Sequence, residues 1–148
     1  MTSAKKVRAR LVELLGRQRF AVLATQSDEQ PYLSLMAFAA SDDLRRLVFV
    51  TERETRKFAN LAANVRTAML VDNRSNDAAD LTDAVAVTAV GRAEELQGQA
   101  RRDAMDLFLR RHPHLATFAA SITCALIQVR VEAYYLVSQF QEVGILEP

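Results

Sequence analysis

Several absences narrow the field before any motif is considered. Cys124 is the single cysteine, which excludes an intrachain disulfide, and the start of the chain has no apolar run of the secretory kind, so a reducing cytoplasm is the expected compartment. No stretch approaches the roughly 18 uninterrupted apolar residues of a membrane span. The 19 basic and 18 acidic side chains nearly cancel, so no global field draws nucleic acid or an anionic membrane, and any anion must be recognised locally. Histidine is scarce: His112 and His114 flank Pro113 in a metal-like spacing without a third His, Cys or carboxylate cluster. That pattern reads as a helix-end loop, and no metal is assigned. Internal repeats, low-complexity tracts and Gly/Ser linkers are also missing.

What is present is a chain of 148 residues, half of them hydrophobic, enough for one domain spanning 1–148 with a continuous core. Val7, Leu11, Leu14 and Leu15 recur at helical spacing, predicting a helix over 4–15 with Gly16 as its C-cap. "RFAVLAT" reads as a buried strand, "SDEQP" as a turn and "YLSLMAFAA" as a second strand with both faces partly covered. "RRLVFVT" is a third strand; Phe58, Leu61, Ala62 and Val65 then mark a helix face, and "TAMLVDN" a fourth strand. Residues 73–83 are polar and without period, an exposed loop whose aspartates lack the pattern of a calcium loop. "AVAVTAVGRAEEL" follows with a bulge expected at Gly91, then a helix through Ala100, Ala104, Leu107 and Phe108, and "CALIQVRVEAYYLV" as the last long strand. The order predicts a mainly β domain with peripheral helices, an antiparallel barrel rather than a doubly wound parallel sheet.

The stretch "LVFVTERETRKFANLAANVR" concentrates charge where a strand hands over to a helix. Thr51 with Glu54 forms a capping-box pattern, and Thr55 is the alternative cap. Either way Arg56 and Lys57 fall in the first turn, beside backbone N–H groups that lack internal partners, where cations oppose the helix dipole. A phosphate would satisfy hydroxyl, amide and guanidinium donors together. Pairing with Glu52 and Glu54 at the surface is the competing explanation.

The run from "RFAVLAT" to "TAMLV" resembles the flavin-binding split-barrel superfamily that includes pyridoxamine 5'-phosphate oxidase. There the third strand ends in an apolar or aromatic residue and a hydroxyl residue, followed by a Ser/Thr-Arg-Lys triplet, a helix and an apolar strand. The matching residues are Val50, Thr51, Thr55, Arg56 and Lys57, and the resemblance extends from about Leu11 to Phe140. It implies an antiparallel split β-barrel that binds FMN at a homodimer interface. Arg56 and Lys57 would meet the FMN phosphate, with Thr51 and Thr55 as hydroxyl donors. Backbone groups of Ser34, Leu35, Met36 and Ala37 would bond the rim of the isoalloxazine, and Met36 or Val50 would pack on the ring.

Departures from the oxidase pattern shape the function expected. The arginine and lysine that bracket the flavin-edge strand in true pyridoxamine phosphate oxidases are replaced here, by Ser34 or Leu35 and by Ala39 or Ala40. The later-strand glutamine is missing near Ala86, and "QEVGILEP" lacks the Arg-rich terminal motif. The C-terminal half is similar to the haem-utilisation branch, whose degrading enzymes use a histidine in a C-terminal extension; here no histidine follows His114. The expected activity is that of an FMN-dependent oxidoreductase on a small molecule other than pyridoxamine phosphate. A non-catalytic flavin- or haem-binding module is the alternative, and a deazaflavin is an alternative cofactor. Cys124 reads as a small core residue, and of Tyr134 and Tyr135, which point opposite ways, one is a candidate pocket residue.

Overall fold

A computed structural model describes residues 3–138 and 142–148; Phe140, where the family resemblance ends, lies outside them. The chain opens with α1 (Ala4–Arg17), whose N-cap Ser3 accepts the Lys6 amide. Its buried stripe is Val7, Leu11, Leu14 and Leu15, as the periodicity predicts. The helix continues past Gly16 to Arg17, so Gly16 is not its cap. Gln18 closes it by donating its amide to the Leu14 carbonyl, and the Arg111 guanidinium donates to the exposed carbonyls of Gly16 and Gln18.

Strands β1 (Phe20–Ser27) and β2 (Gln30–Ala37) form a hairpin whose two turn residues, Asp28 and Glu29, both have positive φ, 51° and 63°. This is the primed geometry that matches strand twist. The single strand expected over 32–40 is interrupted at Phe38, after which β3 (Ala39–Ala40) pairs with β4 (Arg46–Glu52). The Phe38 amide still reaches the Arg19 carbonyl, one step beyond the Phe20–Ala37 pair, but its carbonyl is taken by the His112 ring, 74 positions along the chain.

Next come α2 (Arg56–Ala63), β5 (Arg66–Asp72), a four-residue helix α3 (Asp80–Asp83) inside the polar loop, and β6 (Ala86–Glu95). Then α4 (Gly98–Arg111), a 3-10 turn over Pro113–Leu115, and the short α5 (Ala116–Ala119) lead to β7 (Cys124–Ser138). A strand that the sequence pattern did not reveal, β8 (Glu142–Leu146), pairs with the end of β7. It is five residues long, and its Gly144 sits against Val7 of α1, where a Cβ would strike the valine methyl.

The sheet order is β2-β1-β5-β6-β7-β4-β3 with β8 beside β7, and every pairing is antiparallel. The result is a curled half-barrel, the split barrel that the resemblance implies, open between β2 and β4. Gly91 marks a register shift in the β6–β7 ladder, and a Cβ there would run into the Arg130 carbonyl. The bulge expected at this glycine is present, and close backbone approach is its reason. One core fills the barrel, from Val7 and Leu11 to Phe49, Met69 and Tyr134. A second, outer cluster packs α4 onto β4 and β7 through Val48, Val50, Ala104, Phe108 and Leu126.

Candidate functional site

The seam between β2 and β4 is capped at one end by α2, which packs on β1 and β2. A buried hydrogen bond seats this helix: Asn60 donates its side-chain amide to Thr25 Oγ1 at 3.0 Å, and both side chains are shielded from solvent. Leaving either group unpaired there costs about 1–3 kcal/mol, so the pairing fixes where the first turn of α2 lies.

Of the two caps that the sequence allowed, Thr55 is the one used. Its Oγ1 accepts the Phe58 amide at 3.3 Å and donates to the Glu52 carbonyl at 2.8 Å. Thr51, buried under the turn, places its Oγ1 3.3 Å from that of Thr55 and 3.3 Å from the Glu52 carbonyl. The two hydroxyls therefore shape the junction. Ala59 donates its amide to the Thr55 carbonyl, which leaves the amides of Arg56 and Lys57 without a protein acceptor, as the first turn of a helix does.

Two of the three carboxylates near this corner are engaged elsewhere, and exposed Glu54 makes no ion pair with either base. Glu52 accepts the Thr123 hydroxyl at 2.8 Å, and Glu95 takes a two-pronged bond from Arg53 at 2.8 and 2.6 Å. That third base is structural: its guanidinium also lies over the Phe58 ring at 5.6 Å, and its amide bonds to the Thr123 carbonyl. Among the described residues neither Arg56 nor Lys57 takes part in an ion pair. Arg56 rests over the Tyr32 ring of β2 at 5.7 Å. Two cations thus stand beside free amides at the positive end of a helix without an ion pair to an acid among the described residues, an arrangement whose electrostatics favour an anion.

On β2, side chains alternate. Met36 belongs to the barrel core, with half-buried Ser34 on the same side, whereas Leu35 and Leu33 project outward at 69 % and 65 % exposure. Leu35 and Ala37 can therefore reach a seam ligand only through their backbone; as a strand at the end of the sheet order, β2 leaves one backbone edge unpaired. Val50 points away from Met36, into the cluster beneath α4. On β4 it is the neighbouring Phe49 that joins Met36 in the barrel core, since successive residues of a strand face opposite sides, so Val50 and Met36 do not form one wall.

The other sequence candidates are placed in the core or on the surface. His112 is the residue that ends α4, as the helix-end reading expects; it is 2 % exposed, tilted against Phe108 at 4.9 Å, and its Nε2 lies 2.7 Å from the Phe38 carbonyl. A carbonyl only accepts, so Nε2 carries the proton. Burial pushes its pKa down; the Phe38 carbonyl works against that, and Arg111, His114 and Arg19 add to it. His114 is exposed. Cys124 is buried, and burial followed by nearby Glu52 raises its thiol pKa, the opposite of an activated nucleophile. Tyr134 is the inward tyrosine, donating to the Leu44 carbonyl at 2.7 Å, while Tyr135 faces outward. Among the described residues no group of three His, Cys, Asp or Glu could hold a metal, and no helix is long and apolar enough to cross a membrane.

Comparison with known proteins agrees with this geometry. A family model described as pyridoxamine 5'-phosphate oxidase matches residues 7–138. The fold is similar to that of a haem-binding protein from Mycobacterium smegmatis, with a TM-score of 0.84 and 19 % identity over 99 % of this chain. The chain spans 59 % of the length of that protein. A FAD-binding protein from Mesorhizobium loti gives a TM-score of 0.69 and 20 % identity, covering 86 % of this chain and 91 % of its own. The haem storage protein HutZ from Vibrio cholerae gives 0.73 and 13 %, covering 94 % and 92 %. No curated protein matches the sequence.

Proposed function

Because the chain belongs to the pyridoxamine 5'-phosphate oxidase family, we propose that it is an FMN-binding flavoprotein, a homodimeric oxidoreductase acting on a small molecule. The observation that carries this reading is the α2 corner, where Arg56 and Lys57 are unpaired beside two acceptor-free amides. A phosphate there would collect charge-assisted hydrogen bonds from both side chains and both amides. FMN fits the donor set: its phosphate suits this corner, and the free edge of β2 at Ser34, Leu35, Met36 and Ala37 suits the polar rim of a flexible-free planar ring. Bound FMN would supply the redox chemistry. The protein's part is to anchor the phosphate, hold the ring against β2 and exclude water.

The homodimer is supported by the outward sheet face. Leu33 and Leu35 of β2, Leu70 of β5, Tyr135 and Val137 of β7, and Ile145 of β8 are exposed on it, more apolar surface than a solitary barrel needs to leave wet. The alternative, a flavin- or haem-binding module without turnover, is favoured by one feature of the corner: the residues that face it are cations and hydroxyls, with no histidine in reach of proton transfer. His112, the buried histidine, is committed to Phe38.

The spectrum and mass of the small molecule that copurifies with the full chain test the proposal. Yellow protein that releases FMN, is bleached by NAD(P)H and reoxidised by oxygen supports the oxidoreductase. FMN without bleaching supports the module. A deazaflavin, or a Soret band on haem addition with no affinity for FMN, overturns the FMN assignment.

A further inference from the structure

The outward face also carries a charge pattern that FMN binding does not use. Register sets Arg46 opposite Arg130, Arg130 opposite Arg92, and Arg92 opposite Arg66. Four exposed arginines therefore form one row across β4, β7, β6 and β5, spanning about 15 Å at the usual strand spacing. Like charges directly opposite one another weaken a sheet. Acids offset the row in part: Glu94 is 3.3 Å from Arg130 and Glu132 is 3.9 Å from Arg92. Arg46 meets the Gln128 side-chain oxygen at 3.5 Å, and Arg66 has no acidic partner.

Along the strands from that row, the same face becomes apolar. Ala68 and Val90 come first, then the row Leu35, Val22, Leu70, Thr88, Tyr135 and Ile145. Past it, the far end of the β5–β6 hairpin carries Asp72, paired with Arg74 at 3.0 Å, and then Asp77, Asp80 and Asp83, with no second base in the loop. Asp80 turns its carboxylate to the amides of Ser75, Asn76 and Asp77, which gives the loop its shape. The face is positive at one end, apolar in the middle and acidic at the other.

We propose that a second copy of the chain docks on this face with β5 and β6 of the two protomers running in opposite directions, so that each arginine row receives the 72–83 loop of the partner. The inference rests on the homodimer proposed above and adds its orientation. A twofold axis lying between the sheets and across the strands makes this contact twice, in a self-complementary interface. An axis along the strands would set arginine against arginine, so the charge pattern selects between two arrangements that the apolar band alone would allow.

The test uses two full-length variants, Arg66→Glu with Arg92→Glu, and Asp77→Lys with Asp83→Lys, examined by sedimentation at low and high salt. All four side chains are exposed, and circular dichroism checks the fold; Arg66→Gln with Arg92→Gln serves as a milder second pair. Each charge-reversed variant alone is expected to raise the dimer dissociation constant at least tenfold at low salt, with the difference shrinking as salt is added. An equimolar mixture of the two is expected to return to within threefold of wild type, because in the mixed dimer both contacts are again complementary. A wild-type dimer that neither reversal weakens, or a mixture no tighter than its components, overturns the orientation and leaves the homodimer standing. A wild-type chain that is monomeric with and without FMN overturns both.

Discussion

Adjacent bases stand near helix ends at several places, Lys5 and Lys6 in the first turn of α1 among them, and two of these ends behave differently. Arg110 and Arg111 close α4, where cations offset the negative end of the helix dipole, and Arg111 spends its guanidinium on the carbonyls of Gly16 and Gln18. Arg56 and Lys57 open α2, where cations oppose the dipole, and no protein acid meets them. Arg111 of the first pair ties α4 to the end of α1, while Arg110 bonds within its own helix; the second pair has no ion-pair partner among the described residues. A polar side chain that closes its own hydrogen bonds is architecture, whereas one left open at an electrostatically unfavourable place points to a ligand.

That contrast breaks most visibly at α2. Replacing Arg56 and Lys57 together by alanine is expected to weaken FMN binding by a hundredfold or more, on the order of 3 kcal/mol, since each lost charged hydrogen bond is worth about 1.5–3 kcal/mol. Thermal stability of the ligand-free protein should stay within about 0.5 kcal/mol of wild type, because the removed charges oppose the dipole and touch no core. Fluorescence titration with FMN beside a melting curve reads both. Unchanged affinity would place the phosphate elsewhere.

At the other helix the effects should be reversed. His112→Ala removes the donor to the Phe38 carbonyl and the ring packed on Phe108, a loss of about 2–3 kcal/mol, or roughly 4–12 °C in Tm for a chain of this size. FMN affinity per folded molecule should change less than in the α2 variant. Asn60→Ala lies between: it strands the Thr25 hydroxyl in the core and should cost about 1–2 kcal/mol. Because Asn60 seats α2, FMN binding should weaken as well, by several fold. A variant that loses stability with full FMN affinity would show that the cradle does not depend on how α2 is anchored.

Much of the fold was legible because its signals are local. Period and turn chemistry marked α1, the β1–β2 hairpin and the bulge at Gly91, and the Thr-Arg-Lys triplet marked the start of α2 before any contact was known. What the sequence concealed depends on distant partners. Alternation continues through Phe38, and the partner that takes the Phe38 carbonyl where the strand ends, His112, is brought alongside only by α4. His112 beside Pro113 reads as a helix end, which it is, but its contacts with Phe108 and Phe38 exist only once α4 is laid on the sheet. The row Arg46, Arg130, Arg92 and Arg66 is spread over 85 positions and becomes one feature only through strand register. At the seam, the sequence singled out the Arg56–Lys57 corner, but it could not show that Val50 and Met36 face different clusters, since this depends on which side of β4 α4 covers.

The smallest expected effect is the dependence of stability on pH through His112. Its folded pKa lies below the ordinary value near 6.5, so in the acid range the unfolded chain binds a proton that the folded one refuses. Stability is then fully present above that ordinary value and falls as pH drops from it toward the lowered one, because ionisation must bring a charge into a buried site, one bordered besides by Arg111, His114 and Arg19. His112→Gln sharpens the measurement, since its amide can still donate toward the Phe38 carbonyl but does not titrate. Carboxylates that change protonation over the same range do so in both proteins and cancel in the difference between their melting curves. Wild type should therefore lose stability relative to His112→Gln as pH falls from 7 to 5, by less than Asn60→Ala costs, and FMN affinity should show no such difference between the two. A gap that stays flat with pH would mean that α4 accommodates the charged ring, and that this end of the molecule is less closed than its hydrogen bonds suggest.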